Sequence, residues 1–409
     1  MRKKIVIIML SVSMILSVVG CGQKEEVNTS TVSNTSVDSE DEVETDKNVD
    51  GEDEETISAL DILDEREEKL TGYTIITPYV QVILTSNGTV LAKGENMYGQ
   101  LGNGERADSE TWTEVKGLKD IVGIYSLGDI GNRSKDKSGF GHCYALNSSG
   151  ELYRWGGNIL VPEKVTAFSQ IKEIRSLTSN DLLVKCESGE NYIIIPRHNL
   201  NLDDSVYSYE TLPDTAELYG YGHGTSDGYL LYYNDELSYI GMYDYVNTKS
   251  FDQISRIEDK MQEPIRVDIT EKIRDIIPCG YDGTGGATLI TDRGSVIGVK
   301  YRDGEMHVED RGGAAIIKAS LNYTDFSLNA SGVMKACGDN EYGQLGDGTT
   351  IDYDDGFLTV GETIFADFEY YSPDEYCVAL DDDYNVWGWG KGFGTTPCII
   401  IETDDFVNE

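Results

Sequence analysis

Gly94-Glu95-Asn96-Met97-Tyr98-Gly99-Gln100-Leu101-Gly102-Asn103-Gly104 returns, little changed, as Gly338-Asp339-Asn340-Glu341-Tyr342-Gly343-Gln344-Leu345-Gly346-Asp347-Gly348. Each copy follows the same kind of segment. In the first it is Val82-Ile83-Leu84-Thr85-Ser86-Asn87-Gly88-Thr89-Val90, and in the second Phe326-Ser327-Leu328-Asn329-Ala330-Ser331-Gly332-Val333-Met334. A strand, a tight turn, a second strand and a glycine loop, written twice, predict an array of β modules.

Working outward, the strand–turn–strand part recurs seven times. The turns are Asn87-Gly88, Ser149-Gly150, Ser188-Gly189, Asn234-Asp235, Arg293-Gly294, Ser331-Gly332 and Asp383-Tyr384-Asn385. Gly, Asn and Asp tolerate the positive φ that a tight hairpin requires. The fourth copy is degenerate, and Tyr384 departs from the rule, leaving Asn385 to carry the strained dihedral. Further short strands lie between the hairpins, at Lys119–Ile124, Glu173-Ile174 and Ile273–Ile277. Segments such as Pro162–Val165 and Pro264–Val267 often precede them. Four strands per unit and seven units predict an all-β fold, a seven-bladed β-propeller over residues 72–409, at roughly 49 residues per blade. Closure is expected from pairing Tyr73–Ile76 with Cys398–Ile401, which would remove exposed strand edges.

These strings resemble the repeat of the regulator of chromosome condensation family. The likeness lies in the hairpin Tyr144-Ala145-Leu146 … Gly150-Glu151-Leu152-Tyr153-Arg154-Trp155-Gly156 and in the loop Gly-Asp-Asn-x-Tyr-Gly-Gln-Leu-Gly-x-Gly. It spans about residues 73–402 and is strongest in copies one and six. Cys337 stands where the consensus has Trp, and copies two to five lack the glycine loop. The resemblance implies a seven-bladed propeller. Its known roles divide between nucleotide exchange on a nuclear GTPase and secreted bacterial binding propellers, some of them β-lactamase inhibitors. The nuclear role does not carry over to a chain that reads as exported and has no basic tails.

Residues 1–20 read as a signal peptide: Arg2, Lys3 and Lys4, then the apolar run Ile5–Val19. The run is shorter than the roughly 20 residues a bilayer span needs. Leu16-Ser17-Val18-Val19-Gly20-Cys21 resembles the lipobox of bacterial lipoproteins, which makes Cys21 the acylated N-terminus (palmitate among its acyl chains). Residues 21–71 read as a disordered acidic tether with a short helix over Ile57–Leu70, because so polar a segment buries too little to offset its ordering entropy. The expected location is the outer face of a bacterial cell membrane, held by the lipid and by no protein span.

The chain has 33 Lys and Arg against 73 Asp and Glu, a formal net charge of −40. Phosphate binding needs clustered cations, so nucleic acid is excluded as a partner, and docking on anionic lipid headgroups is disfavoured. Cys143, Cys186, Cys279, Cys337, Cys377 and Cys398 form an even set in a disulfide-permissive compartment. Yet Cys143 and Cys377 hold the same repeat position, which favours buried thiols over bridges.

No catalytic constellation, metal site or cofactor is expected. The glycine loops lack a P-loop lysine. The histidines His142, His198, His223 and His307 have no ligand spacing, and His142 reads as structural. Asp381-x-Asp383-x-Asn385 mimics the start of a calcium loop but has Val386 where Gly is needed. Tyr98 and Tyr342 are expected to pack between blades. Inserted loops are the candidate contact surface. Ser126–Gly141 carries Arg133, Lys135 and Lys137 on an otherwise acidic body, and 197–228 carries Tyr207, Tyr209, Tyr219 and Tyr221. These tyrosines have two readings, side chains that finish local packing or exposed contacts, and as contacts they mark the candidate binding loop. The functional expectation is a monomeric, tethered module binding a protein or cell-wall partner, with inhibition open. The alternative is a polymer-processing hydrolase whose acidic residues meet at the propeller channel.

Overall fold

A computed structural model describes residues 73–402, except 86, 128–140, 169, 179–180, 196–204, 210–215, 223–227, 242–254, 257–260, 282–283, 314, 322, 372–374 and 384. The signal peptide, Cys21, the acidic tether with its short helix, and Arg133, Lys135 and Lys137 lie outside the described residues. The described residues are all-β, folded as seven antiparallel blades.

Blade 1 is β1 (Tyr73–Ile76), β2 (Val80–Leu84), β3 (Val90–Gly94) and β4 (Ser109–Glu114). Blade 2 is β5 (Ile121–Leu127), β6 (His142–Asn147), β7 (Leu152–Gly156) and β8 (Ile159–Lys164). Blade 3 is β9 (Ile171–Thr178), β10 (Asp181–Cys186), β11 (Asn191–Ile195) and β12 (Ser205–Tyr209). Blade 4 begins with β13 (Glu217–Gly220), β14 (Tyr229–Tyr233) and β15 (Glu236–Ile240). The chain then adds β16 (Ser255–Arg256) in parallel beside β12 of blade 3, before β17 (Ile265–Val267) completes blade 4. Blade 5 is β18 (Ile273–Tyr281), β19 (Thr284–Thr291), β20 (Val296–Arg302) and β21 (Glu305–Gly312). Blade 6 is β22 (Ile316–Ser320), β23 (Thr324–Asn329), β24 (Met334–Gly338) and β25 (Tyr353–Thr359). Blade 7 is β26 (Phe365–Tyr371), β27 (Tyr376–Asp381), β28 (Val386–Gly390) and β29 (Gly394–Ile401).

All seven expected turns join the second and third strands of a blade. Five place glycine at φ between +75° and +90° (Gly88, Gly150, Gly189, Gly294, Gly332). In each, the glycine N–H donates to the carbonyl three residues back, as from Gly150 to Asn147 at 3.0 Å. This is a type I turn closed by a glycine bulge. A side chain at the strand end locks it. Asn147 Oδ1 accepts from the N–H groups of Ser149 and Glu151, and Asn329 Oδ1 from those of Ser331 and Val333. The degenerate fourth copy is a different turn. Tyr233 pairs directly with Glu236, and Asn234 and Asp235 take φ of 51° and 61°, the two-residue turn with both central residues left-handed.

The core is divided into seven apolar clusters, one between each pair of neighbouring blades. Ile75, Val82 and Leu101 meet Ile124 and Trp155 between blades 1 and 2. The sequence continues through the clusters joining blades 2–3, 3–4, 4–5, 5–6 and 6–7. Ile76 and Ile83 of blade 1 pack on Tyr376, Val378 and Ile401 of blade 7, which closes the ring. Closure is therefore by side-chain packing. The expected pairing of Tyr73–Ile76 with Cys398–Ile401 is corrected: β1 pairs with β2 and β29 with β28, so neither the first nor the last blade borrows a strand from the other. The apolar seam buries what strand exchange would otherwise have to hold. Cys143 and Cys377 are buried thiols in equivalent second strands, and burial pushes both up.

Candidate functional site

The two glycine loops connect the third and fourth strands of blades 1 and 6, and each clasps the next blade. In the first loop, fully buried Asn96 accepts from Leu101 N–H at 2.9 Å and donates through Nδ2 to Asn103 Oδ1 and the Glu105 carbonyl. Asp108 Oδ1 accepts from Asn96 N–H at 2.9 Å, and Gln100 Oε1 from Tyr98 N–H at 2.8 Å. The loop is thereby shaped so that the Gln100 carbonyl accepts from Trp155 Nε1 of blade 2 at 2.9 Å. The second loop repeats each contact. Asn340 accepts from Leu345 N–H, Asp352 from Asn340 N–H, and Gln344 from Tyr342 N–H, while the Gln344 carbonyl accepts from Trp389 Nε1 of blade 7 at 2.8 Å. Glycine is required at the loop's base: a Cβ on Gly338, at φ +107°, would stand 2.1 Å from the Tyr323 carbonyl. The loops are structural clasps between blades. Tyr98 and Tyr342 are half-buried, and Lys391 of blade 7 lies 4.5 Å over the Tyr342 ring.

The connections between first and second strands, and between third and fourth, emerge on one face. Both glycine loops lie here, as do the ends of the connections 128–141, 196–204, 221–228 and 241–264. The opposite face carries the tight hairpins and the blade-to-blade links, such as 85–89 and 115–120. On the long-loop face Met97, Tyr323 and Ile351 are 62%, 52% and 72% exposed.

The first strand of each blade is innermost, because first strands touch first strands (β1–β5, β9–β13, β13–β18, β18–β22, β22–β26). Six carry a one-residue bulge near the start. In five of them the residues after it are Gly123, Glu173, Asp275, Lys318 and Asp367, and β13 enters at this level with Glu217; in β1 the bulge lies further along and Ile75 is core. Residues one step on, such as Ile124, Ile174, Leu218, Ile276 and Phe368, are core. Strand alternation therefore turns the charged set toward the central channel.

These charges bridge blades. Lys318 Nζ of blade 6 lies 2.8 Å from Asp367 Oδ1 and 3.6 Å from Glu369 Oε2 of blade 7. Arg274 Nη2 of blade 5 donates to the carbonyls of Ile316 and Ile317 at 2.8 and 2.9 Å. Arg175 of blade 3 stacks 4.8 Å over the Tyr219 ring of blade 4. Glu369 keeps 31% exposure beside Lys318. Burial pushes its carboxyl up to about 7 against the pull of Lys318. Burial, and then Glu173, push the Tyr125 phenol up to about 12. The channel gathers carboxylates from several blades, as the hydrolase alternative supposes. Asp367 and Glu369 share one ammonium, however, so they form an ion triad and not two separately placed carboxyls.

The expected contact residues fare unequally. Arg133, Lys135 and Lys137 lie outside the described residues. The tyrosines are corrected from exposed to buried, at 0% for Tyr207, 3% for Tyr209, 9% for Tyr219 and 1% for Tyr221. Tyr207 and Tyr209 sit on β12, in the cluster between blades 3 and 4. Tyr219 on β13 and Tyr221 just after it fill the cluster between blades 4 and 5, where the Tyr221 hydroxyl accepts from Tyr301 N–H. Their segment contains two strands, and alternation sends these side chains inward. His142 is buried against Gly157. The Asp381 carboxylate is fully occupied as a hairpin lock, accepting from Asp383 N–H, Asn385 N–H, Asn385 Nδ2 and Trp387 Nε1. Among the described residues no group of three or more His, Cys, Asp or Glu is placed to hold a metal.

The residues that carry the clasps and the closed ring of seven blades invite comparison with solved propellers. The chain shares the fold of yeast RCC1. The structure of yeast RCC1 (Prp20) bound to Kap60 superposes with a TM-score of 0.52 at 11% identity, covering 78% of this chain and 85% of that one. Prp20p from Saccharomyces cerevisiae, described with its binding to Gsp1p and histones, gives 0.51 at 13% identity, covering 78% and 88%. At these identities the likeness establishes the fold. No family model matches the chain.

Proposed function

We propose that this chain is a membrane-tethered, extracytoplasmic protein-binding propeller. The observation that carries binding is the asymmetry of the two faces. One is closed by tight hairpins, while the other collects the long connections and exposes Met97, Tyr323 and Ile351. Loops on a rigid scaffold are where propellers and other closed β folds place their contacts. The yeast RCC1 structures, seen with or described with protein partners, support the same use of the fold. Tethering rests on the sequence: the basic start, the apolar run Ile5–Val19, the lipobox-like Leu16–Cys21, and the acidic spacer. A protein partner fits the exposed apolar side chains better than a cell-wall polymer does.

The test is capture with the full chain under mild crosslinking, with washes up to ~0.3 M salt, where exposed ion pairs are largely screened. One partner retained throughout supports the reading, and capture that vanishes with salt refutes it. For the anchor, Cys21→Ser is expected to abolish labelling by a palmitate analogue and to release the protein from membranes. A second reading, hydrolysis in the channel, has one observation in its favour, namely Glu369 held near neutral pH beside Asp367. Glu369→Gln leaving polymer hydrolysis by the purified chain unchanged, or no hydrolysis at all, removes it.

A further inference from the structure

The clasp tryptophans hold one fixed place in the repeat, and blade 1 fills that place differently. Trp155 pairs with Cys143 on the neighbouring strand, and Trp389 with Cys377. All four are fully buried, and each indole reaches the glycine loop of the preceding blade. Register puts Lys93 and Gln81 at the same place in blade 1. The preceding blade is there blade 7, whose third and fourth strands are joined by residues 391–393 alone, with no glycine loop to clasp. Two polar residues thus stand where blades 2 and 7 have an indole and a thiol.

A cleft opens at this place. Its volume is about 420 Å³, and Tyr79, Gln81, Lys93, Glu95, Asp108 and Glu110 line it. Small-molecule sites span roughly 300–1,000 Å³. The outer strand helps to make the room. Ala92 pairs with Thr113 and Gly94 with Ser109, so residues 110–112 together stand opposite Lys93 alone. Lys93 lies 4.5 Å over the Trp112 ring. Gln81 Oε1 is buried with no hydrogen-bond partner among the described residues. A buried acceptor without a donor is costly, and an incoming N–H removes that cost.

We infer that this cleft binds a small zwitterion, an α-amino acid with a large apolar side chain. The lining offers both signs of charge. An ammonium carries three donors, so Lys93 takes the ligand carboxylate beside the contacts it already makes. The ligand ammonium goes to Gln81 Oε1 and to the carboxylates of Glu95, Asp108 and Glu110. The ligand side chain lies in the place that an indole fills in blades 2 and 7. This goes beyond the protein-binding reading and does not depend on it.

The test is calorimetric titration of the full chain with L-phenylalanine and three of its fragments. Phenethylamine lacks the carboxylate, 3-phenylpropionate lacks the ammonium, and glycine lacks the side chain. Phenylalanine is expected to saturate the site, and each fragment to bind at least about tenfold more weakly, because it leaves part of the lining unpaired. Lys93→Met is expected to bring phenylalanine down to the affinity of phenethylamine. Gln81→Cys with Lys93→Trp rebuilds the blade 2 pair inside the cleft and is expected to abolish binding. Glu110→Gln, at an exposed position, keeps the test open should these variants fail to fold. It is expected to weaken phenylalanine and leave 3-phenylpropionate unchanged. No saturation by phenylalanine overturns the inference, and so does phenethylamine binding as tightly as phenylalanine. Phenylalanine binding that survives Lys93→Met and the double variant, or that is indifferent to Glu110→Gln, lies elsewhere and overturns it too.

Discussion

At the scale of single residues, the most consequential groups are buried polar ones whose partners lie in another turn or blade. Asn96 satisfies a backbone donor and two acceptors from a fully buried position. Asn96→Ala would strand those groups, and a loss of about 2–4 kcal/mol is expected in chemical denaturation. Trp155→Phe removes one hydrogen bond to Gln100 while keeping most of the packing, so about 1 kcal/mol is expected. Equal costs for the two variants would show that packing, not the hydrogen-bonded clasp, holds blades 1 and 2 together. Glu369 gives a pH-dependent case. Its folded-state carboxyl lies near 7, raised from the usual 4.5 chiefly by burial. A raised acid adds stability that is complete below the unfolded value and lost as pH rises through the folded one. Glu369→Gln is therefore expected to melt higher than the parent above about pH 7 and to match it near pH 4, with a gain of up to about 2 kcal/mol after allowance for its exposure. A gain that grows as pH falls would contradict the assignment.

At the scale of elements, the hairpin is the unit, and it was the most legible part of the chain. Positive-φ residues recur between apolar strands because the turn geometry demands them, so six of the turns could be placed from residue type; in the seventh, Asn385 was expected to carry the strained dihedral and does not. The turns at Gly88, Gly150, Gly294 and Gly332 also touch the next blade: the Gly150 carbonyl accepts from Ile171 N–H of blade 3 at 3.0 Å, and a Cβ there would stand 2.8 Å from that nitrogen. Gly150→Ala is expected to cost more than Gly189→Ala. Both sit in the left-handed region, but Gly189 has open space around it. Comparable melting temperatures for the two would argue against contact between the blade 2 hairpin and blade 3. For the buried tyrosines the structure decides for local packing over contact, and the contact reading arose because their strands sit in a segment rich in turn formers. Val206-Tyr207-Ser208-Tyr209 and Leu218-Tyr219-Gly220-Tyr221 alternate with period two, and that pattern was the available signal for inward-facing side chains. The channel charges had no such signal. Glu173, Asp275, Lys318 and Asp367 share a level only because each follows a bulge, and a bulge leaves no mark in residue type.

At the scale of the whole molecule, seven apolar seams close a ring whose two faces differ. Among the described residues the first and last blades exchange no strand, so the seam of Ile76 and Ile83 with Tyr376, Val378 and Ile401 joins the first blade to the last. Ring and blade number were legible in the repeat. The face proposed for binding was not, because it follows from connection length summed over all blades and not from any one motif. The most direct test places a photo-crosslinking side chain at Met97 or Ile351 on the long-loop face, and at Asn234 or Glu187 among the opposite hairpins, in the full chain in its native cells. The account predicts a single crosslinked partner from Met97 and Ile351 and none from Asn234 or Glu187. A partner captured from the hairpin face, or the same capture from both faces, would contradict it.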